Sequence, residues 1–154
     1  MLNKSDPETK FMGIDFGERR IGISISDAEK KYSFNRDYVF NDKDLLRKLL
    51  NIIISENVTR MIIGYPVSLM NTSMDVTLRV DKFAEALKQF LKMKKLHVEI
   101  TYFDERFTSK IAEESLLKSG VKKSKRREKG LVDSISAQMI LQDYLDRMNN
   151  TGSC

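Results

Sequence analysis

Cysteine is almost missing from this chain of 154 residues. The one present, Cys154, is the final residue of the sequence. A disulfide within the chain and a cysteine-based metal site are therefore both excluded. That suits a reducing compartment, and the cytoplasm is the expected location. Histidine is equally scarce. His97 stands alone at the start of a predicted strand, away from the acids discussed below, and reads as a surface residue rather than a catalyst. Long apolar runs are missing too: "LLNIII" and "MIIG" are far too short to span a bilayer. The opening "MLNKSDPETK" has no apolar core, so no signal peptide is expected. No repeat, low-complexity tract or linker interrupts the chain. It reads as one domain, 1–154, with 1–10 and 149–154 as flexible ends.

What is present is a globular composition, 41% hydrophobic and 32% charged, large enough to bury a core. The net charge of +5 fits a polyanionic partner. Phe11–Phe16 and Arg20–Ser26 read as strands. In the second, Ile21, Ile23 and Ile25 alternate with Gly22, Ser24 and Ser26. The short link "GERR" predicts an antiparallel hairpin. Lys31–Phe40 is a weaker strand with broken alternation. Asp42 or Asp44 is placed to cap a helix to about Glu56, with Leu45, Leu46, Leu49, Leu50 and Ile53 at helical spacing. Thr59–Gly64 reads as a short strand. The stripe Val76, Val80, Phe83, Leu87 and Phe90 predicts a helix from about Met74 to Met93. His97–Phe103 is a further strand, and a helix from Thr108 to Lys118 stops at Gly120. A final helix runs from about Gly130 to Met148. The methionines, Met93 and Met139 among them, read as core filler. Three meandering strands followed by strands alternating with helices give an α/β fold. Its mixed five-stranded sheet has three antiparallel strands, then two parallel ones, flanked by helices.

Acids at three places stand out against this pattern. Asp15 lies inside the first strand, where an ionised carboxylate costs several kcal/mol, on the order of 3–5, unless compensated. Asp104 and Glu105 close the last strand in "YFDERFT", where ligands bind in open sheets with parallel strands. Asp133 opens the apolar face of the final helix, in register with Ala137, Ile140 and Tyr144. Each alone has an ordinary explanation, as a turn acid or an acid at a helix start. Together they can meet at one edge of the sheet, and clustered carboxylates need a cation; oxygen ligands suit Mg²⁺ or Mn²⁺. Such an ion activates water and stabilises the leaving oxygen of a phosphodiester. Strand alternation sends Asp104 and Glu105 to opposite faces, so one of them is the ligand, and spacing does not choose.

Just before Asp133, "KSGVKKSKRREKG" gathers Lys118, Lys122, Lys123, Lys125, Arg126, Arg127 and Lys129. A basic loop beside a metal site would hold a phosphate backbone. It contains no aromatic residue, so stacking on bases is not its role. Arg20 and Arg106 each stand near an acid and would contact the scissile phosphate or pair with a carboxylate. Arg19 reads as a solvent-facing turn residue.

Four segments taken in order, "GIDFGERRIGISISD", "IIGYP", "YFDERFTS" and "KGLVDSISAQMILQDYL", resemble the YqgF (RuvX) family of Holliday-junction-resolvase-like proteins. Members are described as pre-16S rRNA nucleases with an RNase H-like fold. The resemblance implies Asp15, Glu105 and Asp133 as metal ligands, Asp104 in support, and roles for Arg20, Arg106, Gly64 and Pro66. It further implies a divalent metal and a nucleic-acid substrate, with pre-rRNA favoured over branched DNA and the ribosome or its precursor as a partner. The chain departs from the family in "VSLMNTSMD", which lacks the glycine usual there, and in Ser134 and Ser136, where alanine is more usual. Its middle strand ends in Gly64 and Tyr65 and offers no acid. The expected activity is metal-dependent endonucleolytic hydrolysis, with no membrane involvement, by a monomer or homodimer. The rival readings are a junction resolvase, a non-catalytic RNA-binding module and a nucleotide-binding ATPase; the last needs two lobes, and this chain has room for one.

Overall fold

The computed structural model describes residues 8–65, 74–104 and 129–151. Five strands and three helices follow in the order β1 (Lys10–Phe16), β2 (Arg20–Ser26), β3 (Ser33–Phe40), α1 (Leu45–Glu56), β4 (Val58–Tyr65), α2 (Met74–Met93), β5 (Glu99–Asp104) and α3 (Lys129–Thr151). The expected helix over Thr108–Lys118 and the basic stretch before α3 lie outside the described residues.

The sheet order is β3-β2-β1-β4-β5. β1 pairs antiparallel with β2, as does β2 with β3, while β1–β4 and β4–β5 are parallel. β1 is central because both halves of the sheet pair with it. The parallel strands β1, β4 and β5 all end at the same edge, the edge that carries Asp15, Gly64 and Asp104.

One face of the sheet is hydrocarbon. Met12, Ile14, Ile21, Ile23, Met61 and Ile63 are buried in one cluster with Leu49 and Ile53 of α1 and Val80, Phe83 and Leu87 of α2. The helical spacings that predicted α1 and α2 are therefore their sheet-facing stripes, except that Leu91 and not Phe90 ends the stripe of α2; the side chain of Val76 lies outside the described residues. Met93 is not core filler: it is 72% exposed at the end of α2, two residues after buried Leu91 and so turned away from the sheet-facing stripe. Asp44 occupies the N-cap position of α1 but makes no side-chain cap. Asp42 instead closes the preceding turn, its carboxylate accepting from the Asp44 N–H (2.9 Å) and the Lys48 ammonium (2.9 Å).

The other face is covered by α3. Alternation in β2 ordinarily marks one wet face, yet Gly22, Ser24 and Ser26 are all buried here. Gly13 of β1 lets the helix come close. A Cβ at that position would collide with the Ser24 hydroxyl and lie 2.8 Å from the Ala137 carbonyl oxygen. Ser24 donates its hydroxyl to that same carbonyl at 2.7 Å. Amide side chains of α3 extend the seam. Gln142 accepts from the Ser33 N–H (2.9 Å) and donates to the Lys31 carbonyl (2.9 Å), while Asn149 donates to the Lys30 carbonyl (3.0 Å).

Candidate active site

Contacts along β1 give the direction of α3. Phe11 meets Tyr144 edge to face, with centroids 6.3 Å apart, and Gly13 lies against Ala137 and Leu141. As β1 advances, α3 recedes, so the two run antiparallel. Two strand residues advance about 6.6 Å and one helical turn about 5.4 Å. Continuing from Gly13 to Asp15 therefore moves back along α3 to its first turns, where Asp133 stands. Asp15 and the Asp133 position share one end of the molecule.

Asp15 is 8% exposed. Its partner on β2 is Gly22. On β4 the register Ile14↔Ile63, carried one residue on, sets Asp15 beside Gly64, which pairs with Phe103 of β5. A buried carboxylate thus stands between two residues without side chains, on the face that α3 covers. That arrangement leaves its surroundings to groups arriving from α3 and from the strand ends. Position 104, the last of β5, is two strands away, at a backbone separation of about 10 Å.

The predicted acids divide as follows. Asp15, position 104 and position 133 converge through the backbone. The side chains of Asp104 and Asp133, and the whole of Glu105, Arg106, Pro66, Lys122, Lys123, Lys125, Arg126 and Arg127, lie outside the described residues. Among the described residues no group of three histidine, cysteine, aspartate or glutamate side chains forms a metal cage. Phe103 packs in the cluster that faces α3, while Tyr102 meets Tyr65 on the opposite face (5.1 Å). β5 therefore alternates regularly up to its end.

Arg20 shares the face of Gly22 and Ser24, and its guanidinium lies 5.7 Å from the centre of the Tyr38 ring. Arg19 is exposed in the β1–β2 turn, as expected. Asn41 ties that turn down, donating to the Gly17 carbonyl (3.1 Å). Ser136 is fully buried one helical turn after the Asp133 region, and its Oγ has no hydrogen-bond partner among the described residues. Its burial was not visible in the sequence, which showed only a serine where alanine is more usual. His97 is exposed and far from these groups. It lines a concave groove of about 800 Å³ at the opposite end of the sheet, together with Phe11, Arg60, Lys88 and Lys95.

The fold is that of the junction resolvases. It matches the structure of T. thermophilus RuvC in complex with a Holliday junction substrate with a TM-score of 0.54 and 14% identity, over 91% of this chain and 96% of that one. The family model described as "RuvX: Holliday junction resolvase" matches residues 9–147, and the chain belongs to that family. A relative from a Sulfurihydrogenibium species is 33% identical over 141 residues, covering 92% of each chain. One from Bacteroides fragilis is 36% identical over 138 residues, covering 90% of this chain and 96% of its own. Each is named as a candidate pre-16S rRNA nuclease. Among the described residues no helix is long and apolar enough to cross a membrane.

Proposed function

We propose that this protein is a divalent-metal-dependent endonuclease that cuts structured RNA, with the 5′ end of pre-16S rRNA as its substrate and the ribosome precursor as its partner. The observation that carries the reading is the Asp15 carboxylate, buried between Gly22 and Gly64 at the edge where β1, β4, β5 and the start of α3 converge. The substrate class follows from the names of the relatives.

The donor set fits a hard cation: Asp15 and Asp133, with Glu105 favoured over Asp104 as the third acid. The alternation of β5 supports that choice, because a strand continuing past Asp104 would give position 105 the face of Phe103 and Asp15. Mg²⁺ or Mn²⁺, when bound, supplies an activated water and stabilises the leaving oxygen. The chain's own part is to fix the carboxylates. Asp15 is held by a central strand paired on both sides, and the position of α3 is set by Gly13 and the Ser24–Ala137 hydrogen bond. The cationic stretch Lys122–Arg127 and Arg106 would bind the phosphate backbone, and Arg20 would approach it from β2.

The test is a cleavage assay with Mg²⁺ or Mn²⁺ on precursor rRNA ends, generic single-stranded RNA and a four-way DNA junction. Asp15→Asn is the control, and Mn²⁺ binding is measured alongside. Precursor cleavage that falls at least about a thousandfold in Asp15→Asn, with weakened Mn²⁺ binding and an unchanged fold, is the expected result. A fully active Asp15→Asn protein would overturn the assignment. Cutting of the junction alone would move the substrate to branched DNA. Binding without cutting anywhere would leave a non-catalytic RNA-binding module.

A further inference from the structure

Resting on the nuclease reading, we propose that Tyr38, Phe40 and Arg20 form a base-stacking subsite on the rim of the Asp15 site, which takes an unpaired nucleotide beside the scissile phosphate.

The broken alternation of β3 is the starting point. Ile21 pairs with Val39, but Ile23 pairs with Arg36, so Gly22 faces two residues, Asp37 and Tyr38. This bulge re-aims the strand. Before it, Arg36 lies on the α1 face, where it bonds Glu56 at 2.8 Å. After it, Phe40 is paired with Arg20, on the face that carries Gly22, Ser24 and, across Gly22, Asp15. Tyr38 and Phe40 meet edge to face there, with centroids 5.5 Å apart and an 87° interplanar angle, and Arg20 lies over Tyr38. Both rings remain open, at 37% and 53% exposure. Edge strands are normally guarded by charge or proline; this one carries Arg36 and Asp37, and after them presents two aromatic rings.

Placement makes the pair a candidate for nucleic acid rather than protein. Tyr38 is two strands from Asp15, about 10 Å along the row, and the residue between them, Gly22, has no side chain. A nucleotide bound at Asp15 would find the rings within reach. An arginine over one ring of an exposed aromatic pair, beside a phosphodiester site, is a combination that suits single-stranded nucleic acid, with bases on rings and the cation beside the backbone. Bases inside a duplex are already stacked and cannot enter such a subsite. The substrate should therefore be unpaired next to the cut.

The experiment uses the full chain in the cleavage-dead Asp15→Asn background. Fluorescence anisotropy compares a labelled single-stranded oligoribonucleotide with the same sequence in a perfect duplex. Changing both Tyr38→Ala and Phe40→Ala should weaken single-strand binding about tenfold or more and leave duplex binding unchanged. Phe40→Trp should keep or tighten it. An abasic nucleotide at the contacted position should cost the parent protein the same factor and the double variant nothing further. The rings are solvent-open, so melting temperatures should barely move. Undiminished single-strand binding by the double variant, or equal losses on both probes, overturns the subsite while leaving the nuclease assignment standing. A lower sedimenting mass in the variant, with RNA affinity intact, would show instead that the rings join two protein copies. Failure of the protein with Asp15 intact to bind or cut any nucleic acid would sink both readings.

Discussion

The two faces of the sheet are covered by different chemistry. Toward α1 and α2 the strands contribute Met12, Ile14, Ile21, Ile23, Met61 and Ile63, all essentially without solvent exposure. Toward α3, β1 and β2 contribute Gly13, Asp15, Gly22, Ser24 and Ser26, beside a smaller apolar patch of Phe11, Ile62 and Phe103 that meets Ile140, Leu141 and Leu145. The buried polar residues among those described, Asp15, Ser24, Ser26, Ser33 and Ser136, are all on the α3 side. A hydrocarbon face stabilises by area and tolerates sliding, because dispersion and burial are non-directional. A face of glycines and hydroxyls stabilises less per residue but fixes distance and register, because a hydrogen bond and a backbone contact each have one good geometry. Both sides bury hydrocarbon, but only the α3 side adds the glycines and hydroxyls that position the candidate active site.

Ile14→Ala should break the first face. It removes a fully buried side chain from the central strand and should cost about 3 kcal/mol, or roughly 10 °C in Tm, while kcat of the still-folded protein hardly changes. A large loss of kcat below the melting range would show that the two faces are not separable in this way. Gly13→Ala, one residue away, should behave in the opposite sense. The new methyl meets the Ser24 hydroxyl and the Ala137 carbonyl and pushes α3 outward. Stability should fall by about 1–3 kcal/mol, but cleavage should fall by about a hundredfold, because the Asp133 position moves relative to Asp15. Thermal melts and single-turnover rates on the two variants check the contrast. If Gly13→Ala lost stability and activity only in proportion, α3 would be packing and not a positioning element.

Much of the hydrocarbon face was legible beforehand. Spacing placed α2 at Met74–Met93 and β2 at Arg20–Ser26, because each has an apolar stripe of one period. The α3 face was harder to read. Nothing local in "GISIS" says that its serines will be buried; that follows only once Gly13 has admitted the helix. The β3 break was noticed, but the bulge opposite Gly22 that causes it is a property of two strands, not of one. Gln142 and Asn149 drew no expectation, because their bonds to backbone of the β2–β3 turn depend on where α3 lands. For the site, Asp15 was conspicuous as an acid inside an apolar strand. Its two glycine neighbours, and the choice between Asp104 and Glu105, depend on register and face, which composition does not carry.

Ser24→Ala gives the smallest expected effect and the sharpest form of the comparison. The substitution creates no clash and little cavity; it deletes one donor. The Ala137 carbonyl can still accept its helical bond from the N–H four residues on, so no buried acceptor is left wholly unpaired. The stability loss should stay near 1 kcal/mol, or roughly 3 °C. What goes is the bond that ties α3 to β2 at the level just below Asp15. Activity should therefore fall several-fold more than the melting curve accounts for, chiefly in the rate of single-turnover cleavage and not in substrate affinity. Ser24→Thr, which keeps the hydroxyl but adds a methyl under the helix, should be worse than Ser24→Ala in stability if close approach dominates there. It should be better if the hydrogen bond does. That ordering separates the two devices, contact and hydrogen bond, that together hold α3 at its distance from β1.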